Sequence, residues 1–362
     1  MTASQPSSNN SDPGRPLPKC AALAIGSLPH TSVSAAVDLM IEFNPECPAW
    51  PQLPRIDFRE DMYVQFSECM PAAMLDMGRQ RLWFDMEKAP GEMADFYERY
   101  LAQEPGLCHI SNDYARGLEP FLERLPAPGA RFVKGQVTGP ATFGLSVKDG
   151  ENRPVLYQEH LFEAVVKALQ LKGSWQAERF LDAAPGLTPV IFFDEPYLTQ
   201  VGSAIISLPP ELVIASLNEC FAPLAAMGGY TGTHVCGATD WGLLAQTNVD
   251  ILHFDAADHA QEFFIYEAEI AAFLERGGML AWGMIPTDER SLELSGRRIA
   301  QQVMLAAERA AGFTPASADA LEILRRSFVS QSCGLGSRST ALAERCLALA
   351  AEAAAVLQAE LD

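Results

Sequence analysis

Short apolar runs recur along the chain, each followed by a loop rich in Gly, Pro or Asp and then by a helix-like stretch. Apolar runs that alternate with helices predict the buried strands of a parallel sheet. The runs occupy residues 20–25, 132–137, 190–193, 231–235, 251–254, 279–282 and 327–330, and we expect a further strand near 53–58. The predicted helices include residues 161–181, 210–227, 262–275, 297–311 and 341–361.

Eight such units fit a single (β/α)8 barrel over residues 19–362 better than a doubly wound sheet. No G-x-G-x-x-G motif follows the first strand, which weakens the dinucleotide-binding alternative. Residues 1–18 are rich in Ser, Asn, Pro and Gly, and we expect them to form a disordered tail. In a (β/α)8 barrel the functional residues lie at the carboxyl ends of the strands, where the polar signatures of this chain fall.

The net charge of −20 argues against nucleic-acid and anionic-membrane partners, because both require a basic face. No run reaches the roughly 18 apolar residues of a membrane span, and the N-terminus lacks the basic start and apolar core of a secretory signal. We therefore expect a cytoplasmic protein with eight reduced cysteines. Most of these should be small core residues, and two should do chemistry.

His234 and Cys236 stand at the end of the predicted fifth strand, two residues apart and therefore on one side of it. Imidazole and thiolate are typical zinc ligands, and Asp255 and Cys333, after the sixth and eighth strands, would complete a tetrahedral set. Simpler interpretations exist, since a lone cysteine usually fills the core and such an aspartate usually caps a helix. The rival ligand His253 is expected to face the helical layer.

Two thiolates and one carboxylate would give a Zn²⁺ centre a net charge of about −1. A thiolate-rich centre of this kind is a poor activator of water. It would still deprotonate a substrate thiol by coordination and leave the sulfur nucleophilic. The ligand pattern therefore favours thiol activation for alkyl transfer over hydrolysis.

These motifs resemble the catalytic C-terminal barrel of cobalamin-independent methionine synthase. They also resemble the related uroporphyrinogen decarboxylase and methylcobamide:thiol methyltransferase barrels. The opening Ile-Gly-Ser-Leu-Pro at 25–29 looks like the family segment that contacts homocysteine, and Asp-Glu-Pro at 194–196 looks like the segment whose aspartate holds the amino group. The resemblance implies that Ile25, Ser27 and Asp194 bind substrate. It also implies that His234, Cys236 and Cys333 bind Zn²⁺, with Asp255 where the family has a glutamate ligand.

Two departures from the family pattern bear on the substrates. Ile56 stands where the family has a glutamate that also binds the amino group, and Asp57 and Glu60 are the candidate substitutes. Residues 283–286 read Gly-Met-Ile-Pro where the family has Asp-Ile-His-Ser, whose histidine serves proton transfer to folate. A methyltetrahydrofolate nitrogen needs a proton in order to leave, whereas a methylcorrinoid does not. The chain therefore favours methylcobalamin or a corrinoid protein as the methyl donor.

We accordingly expect a zinc-dependent S-methyltransferase for a small-molecule thiol, with homocysteine as the expected substrate and methionine as the product. One alternative is a metal-free lyase like uroporphyrinogen decarboxylase, which would need basic residues for the substrate carboxylates. Another is a non-catalytic corrinoid-binding protein. Simpler structural interpretations also remain at three places. Ser27 could cap a helix, residues 136–140 could form a tight turn, and His30 could be an exposed loop residue.

Overall fold

The computed structural model describes residues 15–200, 208–314 and 318–362. The strands are β1 (Ala21–Leu23), β2 (Ala73–Asp76), β3 (Arg81–Phe84), β4 (Phe132–Thr138), β5 (Lys148–Asp149), β6 (Thr188–Asp194), β7 (Tyr230–Val235), β8 (Ile251–Phe254), β9 (Met279–Ile285) and β10 (Ser327–Gln331). The α-helices are α1 (Val33–Phe43), α2 (Ala89–Leu101), α3 (Leu118–Leu122), α4 (Pro140–Ser146), α5 (Glu159–Ala183), α6 (Pro210–Ala226), α7 (Trp241–Ala245), α8 (Ala260–Phe263), α9 (Glu267–Glu275), α10 (Gly296–Ala311), α11 (Ala320–Arg325) and α12 (Thr340–Leu361). Short 3-10 helices cover Phe58–Glu60, Val155–Tyr157, Pro196–Gln200 and Glu289–Glu293.

Seven strands form one all-parallel sheet in the order β1-β10-β9-β8-β7-β6-β4. The sheet curls, because side chains from strands far apart in this order meet on its inner face. The Phe132 ring of β4 packs edge-on against the Phe328 ring of β10, with centroids 5.7 Å apart. An apolar cluster fills this inner face and also includes Leu23, Phe192 and Ile251. The sheet therefore encloses a packed interior and is not a flat layer.

The gap between the edge strands β1 and β4 is spanned by an extended segment around residues 48–52. Lys134 N donates to Pro48 O at 2.8 Å, and Trp50 N donates to Lys134 O at 3.3 Å. On the other side, Gln52 N donates to Gly26 O at 3.0 Å. The segment thus forms parallel β-bridges to both edge strands, but these bridges are too few to define a regular strand.

The larger apolar cluster lies between the sheet and the surrounding helices. Alternation along the strands explains the two layers, since neighbouring side chains point to opposite faces. In α10, Ile299, Val303, Ala307 and Ala310 are buried at helical spacing, and α12 buries a similar row against β1 and β10. The helices therefore cover the outer face of the sheet, and its carboxyl edge carries the polar residues.

Most elements expected from the sequence are confirmed. Each of the seven predicted apolar runs overlaps a strand of the parallel sheet, and β8 has the predicted bounds. The helix expected at 262–275 is interrupted, because α8 ends at Phe263 and α9 begins at Glu267. The strand expected near 53–58 is wrong, since a 3-10 helix begins at Phe58 and the bridging segment lies earlier. The small sheet β2-β3-β5 was not anticipated.

Residues 1–14 of the expected tail lie outside the described residues. Residues 15–18, which were also assigned to the tail, contact the body of the protein. The Arg15 guanidinium lies 3.6 Å from the Tyr230 ring centroid, and Arg131 donates to the carbonyl oxygens of Leu17 and Pro18. The boundary of the folded part therefore lies before residue 18.

Among the described residues, no helix is both long enough and apolar enough to cross a membrane.

Candidate metal centre

Three predicted ligands meet at the carboxyl edge of the sheet. His234 is the fifth residue of β7, and Cys236 follows the last residue of that strand. Cys333 comes two residues after the end of β10. The ligand atoms of these three side chains all lie within 4.8 Å of one another. One imidazole and two thiols at this spacing match the donors of a tetrahedral zinc or similar soft-metal site.

The pKa values of the two thiols are shifted in opposite directions. A hydrogen bond from the Cys236 thiol, with a further one from His234, lowers the pKa of Cys333 well below its usual range. The hydrogen bond to Cys333 and then burial raise the pKa of Cys236 far above its usual range. The contact between the two sulfurs therefore favours one thiolate and one thiol, and a bound metal would displace the remaining proton.

This arrangement predicts that metal affinity rises with pH. Cys333 is already a thiolate near neutrality, whereas Cys236 must lose its proton before binding. Metal binding should therefore release about one proton from the pair, and the apparent binding constant should rise about tenfold per pH unit between roughly pH 6 and 8. Competition of Zn²⁺ with a chromophoric chelator would measure the slope. A binding constant that does not change over this range would contradict the thiol–thiolate assignment.

Asp255 does not belong to this group of three. Its carboxylate accepts a hydrogen bond from Asp258 N at 2.9 Å in the turn after β8, and burial raises its pKa. This hydrogen bond caps a turn. It is not the helix cap that the sequence offered as the simpler interpretation, because the next helix, α8, has His259 as its N-cap residue. Within the described part of the chain, the structure brings together three of the four predicted ligands and leaves Asp255 outside them.

The expected orientation of His253 is wrong. The side chain does not face the helical layer but is fully buried on the inner side of β8, where its Nδ1 lies 2.7 Å from Nδ1 of His234. The physical reason is strand alternation, which puts His253 on the same side as Ile251 of the interior cluster. Burial, and then the neighbouring His234 and Lys134, lower the pKa of His253 well below its usual value.

A buried lysine that the sequence analysis had passed over lies under the site. Lys134 of β4 is inaccessible to solvent, its Nζ donates to Ile25 O at 2.7 Å, and it lies 4.8 Å from the Phe192 ring centroid. Burial lowers its pKa to about 8, against the opposing effect of Asp194. The signal for it in the sequence was a single charged residue within a run predicted to be a buried strand.

Asp194, at the end of β6, faces the cluster from the neighbouring strand. Burial raises its pKa, whereas His234 and Lys134 act in the opposite direction. Its Oδ1 is buried and accepts no hydrogen bond from any described residue. A buried carboxylate oxygen with a free acceptor site is suited to bind a cationic or hydrogen-bond-donating ligand.

A cavity of about 500 Å³ opens above the three ligands. The predicted substrate residues Ile25, Ser27 and Asp194 all line it. Its other walls come from Gln52, Pro54, Arg55, Asp61, Met62, Phe66, Gln136, Thr138, Pro196, His234, Cys236, Cys333, Gly334, Gly336 and Ser337. The tight turn expected at residues 136–140 is wrong, because β4 continues to Thr138 and α4 begins at Pro140 with Gly139 as its N-cap residue. Gln136 and Thr138 lie at the end of the strand and form part of the cavity wall.

The candidate substitutes for the missing glutamate are engaged elsewhere. Asp57 pairs with the Arg116 guanidinium at 2.8 Å. Glu60 is buried and accepts from Leu53 N at 2.7 Å. Asp61, which the sequence analysis had not proposed, is the carboxylate of this segment that lines the cavity, and burial raises its pKa. The cavity thus has two carboxylates, Asp61 and Asp194, in its wall.

The roles of Ser27 and His30 differ from those expected from the sequence. Ser27 does not cap a helix; its Oγ accepts from Gly336 N at 3.2 Å, which ties the loop after β1 to the loop after β10. A Cβ at Gly334 would lie 2.5 Å from that oxygen, so glycine permits the close approach. His30 is buried and pairs with Glu344 of α12 at 3.2 Å, so the expectation of an exposed loop histidine is wrong.

A scan of protein-family models and a search of curated protein sequences find no match for this chain. Function must therefore be inferred from the chemistry of the site itself.

Proposed function

We propose that this protein is a zinc-dependent S-methyltransferase that activates a small-molecule thiol. The observation that carries the proposal is the cluster of His234, Cys236 and Cys333 at the floor of a ligand-sized cavity. Three protein ligands are typical of catalytic zinc sites, where the fourth position is taken by water or substrate. Leaving Asp255 in its capping role keeps that fourth position open toward the cavity.

The proposed architecture is a complete (β/α)8 barrel in which residues 48–52 act as the irregular eighth strand. Bridges to Lys134 and to Gly26 on its two sides support this closure. In such barrels the binding site lies at the carboxyl ends of the strands. The three ligands and Asp194 all lie at that end of β6, β7 and β10.

The charges of the donors support thiol chemistry over hydrolysis. Two cysteine thiolates cancel the charge of Zn²⁺, and such a centre is a weaker acid toward water than one with neutral ligands only. When bound, zinc would supply the Lewis acid that takes up the substrate sulfur and displaces its proton. His234, Cys236 and Cys333 hold that centre on rigid strand ends, which fixes where the sulfur must lie.

The cavity walls support an amino thiol such as homocysteine as the substrate. Asp194 has a free buried oxygen, and Asp61 lines the same cavity. Burial raises the pKa of both carboxyl groups. A cationic partner would stabilise their ionised forms. We therefore assign the substrate ammonium to these carboxylates, and we assign the positioning of the substrate to Ile25 and Ser27. Methionine would be the product from homocysteine.

A methylcorrinoid, free or protein-bound, is the proposed methyl donor. The carboxyl end of β9 reads Gly283, Met284, Ile285 and then Pro286, none of which can donate a proton. A folate nitrogen needs a proton to leave, whereas the cobalt of a corrinoid leaves with the bonding electron pair alone. The eight cysteines are free thiols, which suits the cytoplasmic location that we propose.

The cavity offers little support for the lyase alternative. Arg55 is the one basic side chain among its described lining residues besides His234, and its guanidinium donates to the carbonyl oxygens of Ser337 and Arg338. Several substrate carboxylates would therefore lack partners.

Metal analysis with X-ray absorption at the zinc edge would test the proposed function. Purified protein should contain one zinc per chain, with two sulfur and one histidine nitrogen ligands. Addition of homocysteine should raise the sulfur count to three, and a methylcorrinoid should then methylate it. If zinc is bound but the sulfur count does not change and no thiol is methylated, the protein is a non-catalytic binder and the proposed activity is wrong. Absence of any bound metal after zinc loading would overturn the proposal.

A further inference from the structure

His253 is in direct contact with a proposed metal ligand but has no role in the function proposed above. Its ring and that of His234 are nearly perpendicular, at 75°, with centroids 4.6 Å apart. The two Nδ1 atoms are separated by 2.7 Å, and both residues are buried. This distance is that of a hydrogen bond, so one nitrogen must donate and the other must accept.

The proton between the two rings determines which nitrogen of His234 can bind a metal. A neutral imidazole carries its hydrogen on one nitrogen and offers the other as a ligand. Because Nδ1 of His234 is occupied by the contact with His253, Nε2 is the atom left for a metal. Metal binding through Nε2 places the hydrogen of His234 on Nδ1. His253 then accepts this hydrogen at its own Nδ1 and carries its proton on Nε2.

The surroundings of His253 hold its ring in place. The Phe192 ring of β6 packs edge-on against it, with centroids 6.4 Å apart. On the other side, Gly283 of β9 leaves the room that the ring needs, since a Cβ there would lie 3.0 Å from Cε1 of His253. Packing therefore holds Nδ1 of His253 against Nδ1 of His234.

We propose that His253 is a positioning residue that fixes the ring orientation and the Nδ1–H tautomer of His234, so that Nε2 of His234 binds the metal. This inference rests on the proposed metal site. Metal-binding histidines usually donate their second N–H to a carboxylate, a carbonyl or water. A neutral imidazole in that place orients the ligand without adding a negative charge to a centre that already holds two thiolates.

Two substitutions at His253 separate hydrogen bonding from packing. His253→Asn keeps an acceptor near the position of Nδ1, and His253→Leu removes it while keeping an apolar side chain of moderate size. The leucine variant should bind Zn²⁺ about 10- to 100-fold more weakly, and the asparagine variant should recover most of that loss. The matched control is His30→Leu, which removes a buried histidine paired with Glu344, outside the cluster, and should leave zinc affinity unchanged.

Long-range ¹H–¹⁵N correlation spectra of the histidine rings provide a readout that a merely structural role would not change. Zinc-loaded protein should show His234 protonated at Nδ1 and His253 protonated at Nε2. The d–d absorption bands of the Co²⁺-substituted protein should shift in the leucine variant and return toward wild type in the asparagine variant. Unfolding curves of the metal-free variants would confirm that each is folded before its affinity is compared.

The outcomes separate this inference from the proposed function. Wild-type zinc affinity in a folded His253→Leu variant, or a hydrogen on Nδ1 of His253 in the loaded protein, would overturn the inference alone. Failure of the wild-type protein to bind zinc would overturn both the proposed function and the inference.

Discussion

Replacing Cys333 with serine is expected to remove bound zinc and abolish thiol methylation. The hydroxyl of serine has nearly the same shape as the thiol but is neutral near pH 7, so the centre loses one of its two thiolates. Cys236 also loses the partner whose hydrogen bonding distinguishes the two thiols. Zinc affinity should fall by about a thousandfold or more, which is the order of 4 kcal/mol. Metal content after dialysis and the rate of homocysteine methylation would both be measured.

The matched control for this substitution is Cys346→Ser. Cys346 is buried on α12, where its Sγ lies 3.6 Å from Pro286 O and 3.6 Å from the Ser291 hydroxyl. A serine hydroxyl finds hydrogen-bond partners there, so the fold and the zinc content should be retained. Full zinc content together with full activity in Cys333→Ser would refute the assignment of Cys333 as a ligand.

Replacing Asp194 with asparagine is expected to impair methylation of amino thiols specifically. The substitution keeps the shape of the side chain but removes the charge that we assign to the substrate ammonium. A hydrogen bond to a charged group contributes about 1.5–3 kcal/mol, so kcat/KM for homocysteine should fall about 10- to 100-fold. A thiol without an amino group, such as coenzyme M or 2-mercaptoethanol, should lose little. Initial rates with both kinds of thiol would be compared.

Two controls accompany the Asp194 variant. Zinc content should be unchanged, because Asp194 is not among the three clustered side chains proposed as ligands. The free energy of unfolding should also be measured, because Asp194 acts electrostatically on the buried Lys134. An equal loss with homocysteine and with the amino-free thiols would show that Asp194 acts on the site in general and does not recognise the ammonium group.

Much of the sheet could be predicted from the sequence because its strands are buried on both faces. The run at 279–282 is apolar throughout, which predicts a buried strand. The structure extends this strand to Ile285. The segment that bridges β1 and β4 gave no such signal. Pro48 and Pro51 lie within it and Pro54 follows it, and proline lacks the N–H that a regular ladder requires. Its strand-like pairing arises from contacts with both edges of the sheet.

The site was predictable where spacing alone decides orientation. His234 and Cys236 lie two residues apart at the end of a strand, and Cys333 follows another strand of the same sheet, so their meeting followed from topology. The role of Asp255 could not be decided from the sequence, since an aspartate after a strand can bind a metal or cap a turn. Lys134 was missed because a lysine usually indicates an exposed position, and only the tertiary structure shows it enclosed.

The most direct test of thiol methylation offers methylcobalamin and methyltetrahydrofolate in parallel to zinc-loaded protein with homocysteine. Loss of the methylcobalamin absorption, with methionine formed in equal amount, would be followed over time. We expect turnover with methylcobalamin, at most a trace with methyltetrahydrofolate, and neither in the Cys333→Ser variant. Turnover with methyltetrahydrofolate alone would contradict the proposed donor, and no methionine from either donor would contradict the proposed homocysteine methylation.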